Sequence, residues 1–128
     1  MNEFEAREFR VTRTDLVRYA GASGDFNPIH WSERTATEVG LPGVIAHGMF
    51  TMALAARAVE DWAGGPGRVV EFGCKFTNPV LVPDDDQGVV IRVEGTPSAG
   101  EDGLFTIKLE VTCNGTKVLG MPKAVVRG

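Results

Sequence analysis

Hydrophobic positions change their period along the 128-residue chain. Phe9 and Val11 fall on one side of a short alternating segment, with Arg10 on the other, which predicts a first strand. Thr14 reads as an N-cap with Asp15 in the first turn, and Leu16, Tyr19 and Ala20 follow at helical spacing. A helix is therefore expected over about 15–22, ended by Gly21 and Gly24. Asn27-Pro28 imposes an extended or turn backbone, because the residue before proline avoids the helical region. Ser32 can cap a second short helix, with Glu33 in its first turn and Gly40 past its end, and Leu41-Pro42-Gly43 then makes a loop. From Ile45 to Trp62 apolar residues occur almost all round a helical wheel. Such a helix is expected to be buried on nearly every face, and Gly64-Gly65-Pro66-Gly67 stops it.

Beyond that glycine run the period becomes two. Val70, Phe72, Cys74 and Phe76 alternate with polar or small residues, as do Val89, Ile91 and Val93, and then Phe105, Ile107, Leu109, Val111 and Cys113. These segments predict half-buried strands. Asn114-Gly115 is a hairpin signal, so a last strand from about Thr116 should pair antiparallel with its predecessor. Pro122 lies inside that strand and cannot donate to a ladder, which calls for an edge position or a bulge. Helices followed by strands point to an α+β fold. A long apolar helix with four or five strands implies an antiparallel sheet wrapped around it. A single domain over residues 1–128 is expected.

Composition narrows the function classes. Lysine and arginine number 13 and aspartate and glutamate 17, so the net charge is −4. A nucleic-acid binder is usually strongly basic, so none is expected. Two cysteines cannot build a disulfide framework or a four-ligand zinc site. The charged start MNEFEAREFR lacks an apolar signal region, and the uncharged stretch from Val39 to Ala56 is broken by glycine and proline. A cytoplasmic domain with no membrane association follows as the expectation. Asp84-Asp85-Asp86 reads as a solvated turn without the spacing of a calcium loop.

The candidate chemistry sits in two stretches, each holding one of the two histidines. In the first, Gly24-Asp25-Phe26-Asn27-Pro28-Ile29-His30, a turn at Asn27-Pro28 can fold Asp25 and His30 toward one cleft. A carboxylate and an imidazole there can divide proton transfers near neutral pH. In the second, Ile45-Ala46-His47-Gly48-Met49, a glycine stands at the start of the apolar helix. The first amides of a helix lack an intrahelical acceptor, so Gly48 can offer its N–H to a developing oxyanion. His47 by itself reads as a helix-start residue bonded to nearby backbone.

Together, Tyr19-Ala20-Gly21-Ala22-Ser23-Gly24-Asp25-Phe26-Asn27-Pro28-Ile29-His30 and Ala46-His47-Gly48-Met49 resemble the MaoC-like, or hydratase-2, group of hot-dog-fold enzymes. Within it, His30-Trp31, Gly40-Leu41, Ile45 to Met49 and the turn Pro79-Val80-Leu81-Val82-Pro83-Asp84 are most similar to mycobacterial (3R)-hydroxyacyl-carrier-protein dehydratases. The resemblance implies a hot-dog fold and reversible loss of water from (3R)-3-hydroxyacyl thioesters, carried on acyl carrier protein or coenzyme A. It implies Asp25 and His30 as the acid/base pair and Gly48 as the backbone oxyanion donor. It implies Asn27 as a supporting residue, with Ile45, His47 and Met49 beside the substrate. It implies no metal and no cofactor, and a homodimer or a heterodimer with another hot-dog subunit. Some hydratases of this group carry a serine eight residues after that glycine, where this chain has Ala56. A non-catalytic acyl-binding subunit and a hot-dog thioesterase are the competing expectations.

Overall fold

The computed structural model describes residues 4–128. Six strands form one antiparallel sheet: β1 (Arg7–Val11), β2 (Val69–Phe76), β3 (Val89–Ala99), β4 (Leu104–Cys113), β5 (Thr116–Lys117) and β6 (Leu119–Arg127). Their spatial order is β1-β3-β4-β6-β2, with β5 paired to β4. Three α-helices, α1 (Arg13–Ser23), α2 (Glu33–Glu38) and α3 (Gly48–Ala63), precede β2.

The ends of the helices differ from the sequence expectation in instructive ways. Helix α1 is capped by Thr12 rather than Thr14, and the Thr12 N–H donates to the Asp15 carboxylate at 2.9 Å. Gly21 stays inside this helix, while Gly24, at φ 79°, ends it. Helix α3 starts at Gly48 instead of Ile45, because Ala46 is still extended and donates its N–H to the Val80 carbonyl.

Helix α3 lays Thr51, Ala55, Ala58, Val59 and Trp62 against the sheet. The Trp62 ring crosses β3 at Gly95, where a side-chain carbon would come within 2.6 Å of it. The indole N–H of Trp62 donates to the Glu5 carbonyl at 2.9 Å, and its ring stacks on Phe4. The opposite side of α3 is not fully covered: Met49 is 55% exposed, and Met52 and Ala56 are half-buried. Burial on nearly every face is therefore not reached within this chain, since the sheet curls around one side of the helix only.

Strand β2 also departs from the alternation. Phe72 and Cys74 are half-buried, but Val70 and Phe76 are exposed. It is an edge strand, paired only with β6, and a register shift follows Val69. Pro122 occupies a bulge and not an edge. Strand β6 lies between β4 and β2, and its register slips between Lys123 and Gly120, leaving Met121 (φ 45°) and Pro122 outside the ladder. Cys74 and Cys113 are free thiols, and burial pushes both upward in pKa. Among the described residues no helix is long and apolar enough to cross a membrane.

Candidate active site

The turn after α1 is built by a chain of short side-chain-to-backbone bonds. The Asp25 N–H donates to Ser23 Oγ at 3.1 Å, and the Asn27 N–H donates to Asp25 Oδ1 at 3.2 Å. The Ile29 N–H then donates to Asn27 Oδ1 at 3.2 Å, capping a single 3-10 turn over Pro28–His30. Asn27 thus supports the site through its backbone, which holds one carboxylate oxygen of Asp25. Its side chain is spent on the cap.

That turn delivers His30 into the interior, where it is 7% exposed. Its Nδ1 lies 2.7 Å from the Ile45 carbonyl. A carbonyl only accepts, so Nδ1 carries a proton, and in the neutral ring Nε2 is the nitrogen left with a lone pair. Nε2 lies 4.0 Å from Asp25 Oδ2. The turn therefore brings the Asp25 carboxylate and the His30 imidazole side by side, with the Nδ1 side of the imidazole held from behind and half of the Asp25 side chain open to solvent.

His47 is the N-cap of α3 and is 1% exposed. It bonds backbone that is distant in sequence: Nε2 lies 3.1 Å from the Asp25 carbonyl. Nε2 must then be the protonated nitrogen, and the buried Nδ1 has no partner among the described residues. The ring stacks on His30 at 3.8 Å between centroids, with Tyr19 tilted against it at 4.7 Å. Burial holds the His47 pKa below its ordinary value, and the neighbouring His30 adds to that; the Asp25 carbonyl acts in the opposite direction. His47 is thus a neutral prop for Asp25 and His30.

Beside His30 opens a cavity of about 240 Å³. Its inner wall is His30, Ile45, Ala46, Gly48 and Thr51, and its outer wall runs from Phe76 to Val80 with Val118 and Leu119. No acceptor among the described residues takes the Gly48 N–H. A side-chain carbon on Gly48 would lie only 2.9 Å from the Phe76 ring. The cavity leaves out Met49, which projects outward from the helix start. Thr51 and Asn78 were not anticipated from sequence. Thr51 is a polar residue, 2% exposed, inside an otherwise apolar helical run, and that contrast was its signal. Asn78 donates through Nδ2 to the Lys117 carbonyl, a contact made by distant strands and invisible to local pattern.

Asp25, His30 and His47 also present one potential ligand atom each, all within 4.8 Å of one another. Two of the four imidazole nitrogens in that set face carbonyls.

Comparison with known proteins places the chain in a family. The family described as "MaoC like domain" matches residues 2–123. A 3-hydroxyacyl-thioester dehydratase X of Mycobacterium tuberculosis is 42% identical over 78 residues, covering 61% of this chain and 27% of that protein. A 3-hydroxybutyryl-CoA dehydratase of Methylorubrum extorquens is 30% identical over 117 residues, covering 88% of this chain and 74% of that protein. A solved MaoC-like dehydratase superposes with a TM-score of 0.91 at 36% identity, covering 96% of this chain and 38% of that one. The chain thus spans about a quarter of the mycobacterial relative. An (R)-hydratase from A. caviae, at 23% identity and a TM-score of 0.83, covering 98% of this chain and 94% of that one, shares the hot-dog fold. With nearly the whole chain matched, this protein belongs to the MaoC-like domain family.

Proposed function

We propose that the chain interconverts (3R)-3-hydroxyacyl thioesters and trans-2-enoyl thioesters by loss or addition of water. The observation that carries this reading is the meeting of His30 and the unpartnered Gly48 amide in the wall of one cavity, with the Asp25 carboxylate outside that wall but 4.0 Å from His30 Nε2. In the dehydration direction, a base removes a proton from C2 and the electron pair forms the C2–C3 double bond. The C3–O bond breaks, and an acid protonates the departing hydroxyl, so water leaves. His30 and Asp25 are the two groups within reach of these transfers. Gly48 would donate to the thioester oxygen as negative charge gathers there, with the α3 dipole behind it. The names of the relatives, dehydratases of hydroxyacyl thioesters, support the same class of substrate.

A hot-dog partner, either a second copy or a different subunit, fits the edge strand β2, which has one ladder neighbour and exposes Val70 and Phe76.

The test is hydration of crotonyl-CoA and of a longer trans-2-enoyl-CoA, followed as loss of the conjugated thioester absorbance. Asp25→Asn and His30→Ala should each lower the rate at least about a hundredfold. Unchanged rates in both variants would remove the pair from the mechanism. Thiol release without hydration would identify a thioesterase instead.

A further inference from the structure

All four lysines of the chain, Lys75, Lys108, Lys117 and Lys123, stand on the adjoining strands β2, β4, β5 and β6. The registers put them on one face. Lys108 is directly opposite Lys123, and Lys123 is opposite Gly73, two residues from Lys75. Lys117 is opposite Thr112, which shares the Lys108 side of β4 because side chains alternate along a strand. The intervening Ile107, Leu109 and Val111 are buried, so the lysine face is the outer one.

Two features single out this face. First, like charges set directly across a ladder repel, yet Lys108 and Lys123 occupy such a pair. Second, the ion pairs among the described residues use Arg7, Arg13, Arg92 and His30 and none of the lysines. In a chain of net charge −4, these four cations stay uncommitted.

The face also adjoins the site. The β4–β6 ladder stops at the Lys108–Lys123 pair, and the Met121–Pro122 bulge turns β6 aside. A groove of about 460 Å³ opens there, with Lys117 in its wall. Thr77, Asn78 and Leu119 wall both this groove and the catalytic cavity.

We propose that this lysine face docks an acidic carrier protein that presents the acyl thioester to the cavity. The proposal rests on the dehydratase reading and assigns its carrier. The spread of the charges favours a protein over a free nucleotide. Strand spacing near 4.8 Å and a rise near 3.4 Å per residue place the lysines over roughly 14 Å. Glu110 lies among them and Glu71 lies on the β2 flank, while Glu94, opposite Glu110, is bonded to Arg92. One compact diphosphate would meet Glu110 as readily as a lysine. A row of surface carboxylates can engage the lysines separately.

The probe is an acidic bacterial acyl carrier protein loaded with crotonyl-phosphopantetheine, compared with crotonyl-CoA. The double variant Lys108→Glu/Lys123→Glu should lower the ratio of kcat/KM for the carrier ester to that for the CoA ester at least tenfold. Arg18→Glu, an exposed reversal on α1, should leave that ratio in place. Carrier binding, read by fluorescence anisotropy, should weaken as salt rises, since exposed charge pairs are screened. An unchanged ratio in the double variant, an equal fall in Arg18→Glu, or salt-independent binding would overturn the docking face. If the wild type turns over neither ester, the dehydratase reading fails, while anisotropy still decides whether the lysines bind the carrier.

Discussion

Replacing Gly48 by alanine places a methyl carbon 2.9, 3.0 and 3.1 Å from three atoms of the Phe76 ring. Ordinary carbon contacts begin near 3.4 Å, so the ring must retreat by about 0.5 Å. Phe76 is 56% exposed and has room to do so. Alanine also loses less backbone freedom than glycine in a helix, a gain of up to about 1 kcal/mol. The two effects oppose each other, and stability should stay within about 1 kcal/mol of wild type, or about 4 °C in Tm. Activity should respond differently. The new methyl and the displaced ring both stand close to the Gly48 N–H, where the proposed thioester oxygen would approach. A displacement of about 1 Å at such a donor costs on the order of 10²-fold. Crotonyl-CoA hydration should therefore fall about a hundredfold, with Tm nearly constant by calorimetry. Phe76→Ala in the same background separates the causes. Recovery in the double variant assigns the loss to the ring, and no recovery assigns it to the methyl at the amide. Full activity in a folded Gly48→Ala protein would refute the oxyanion role.

Two further outcomes follow from the packing. At Gly88 (φ 60°) a side-chain carbon would lie 1.9 Å from the Val11 carbonyl oxygen, so Gly88→Ala should cost more than about 2 kcal/mol in urea denaturation; a midpoint equal to wild type would contradict the close approach of β1. Because the folded protein holds His47 neutral more strongly than the unfolded chain does, unfolding takes up protons. Stability attributable to His47 is present above about pH 6.5 and is lost as pH falls through the lowered folded value; an NMR titration placing the His47 ring midpoint above 6.5 would contradict this.

How far the sequence revealed this depended on distance along the chain. The Asp25–His30 turn was legible because its bonds run between residues two apart, from Ser23 through Asp25 and Asn27 to Ile29. The strand alternation from Ile107 to Cys113 was legible because one face is buried throughout. The exposure of Val70 and Phe76 was not, since alternation does not reveal that β2 is an edge. Nor was the role of His47, which is decided by a carbonyl 22 positions away. The lysines were equally hidden: Lys75 and Lys123 are far apart in sequence and become neighbours only through the β2–β6 register.

The cavity beside His30 is made from two different parts of the chain. One wall, from His30 to Thr51, belongs to one continuous segment, closed on itself by the His30–Ile45 bond and tied back to Asp25 by His47. Its opposite wall, Phe76 to Val80 with Val118 and Leu119, is borrowed from the sheet. The two walls are thus encoded in separable modules. On the proposed dehydratase reading, sequence change in the sheet-borne wall would retune which acyl group is admitted while the His30 and Gly48 side is inherited intact.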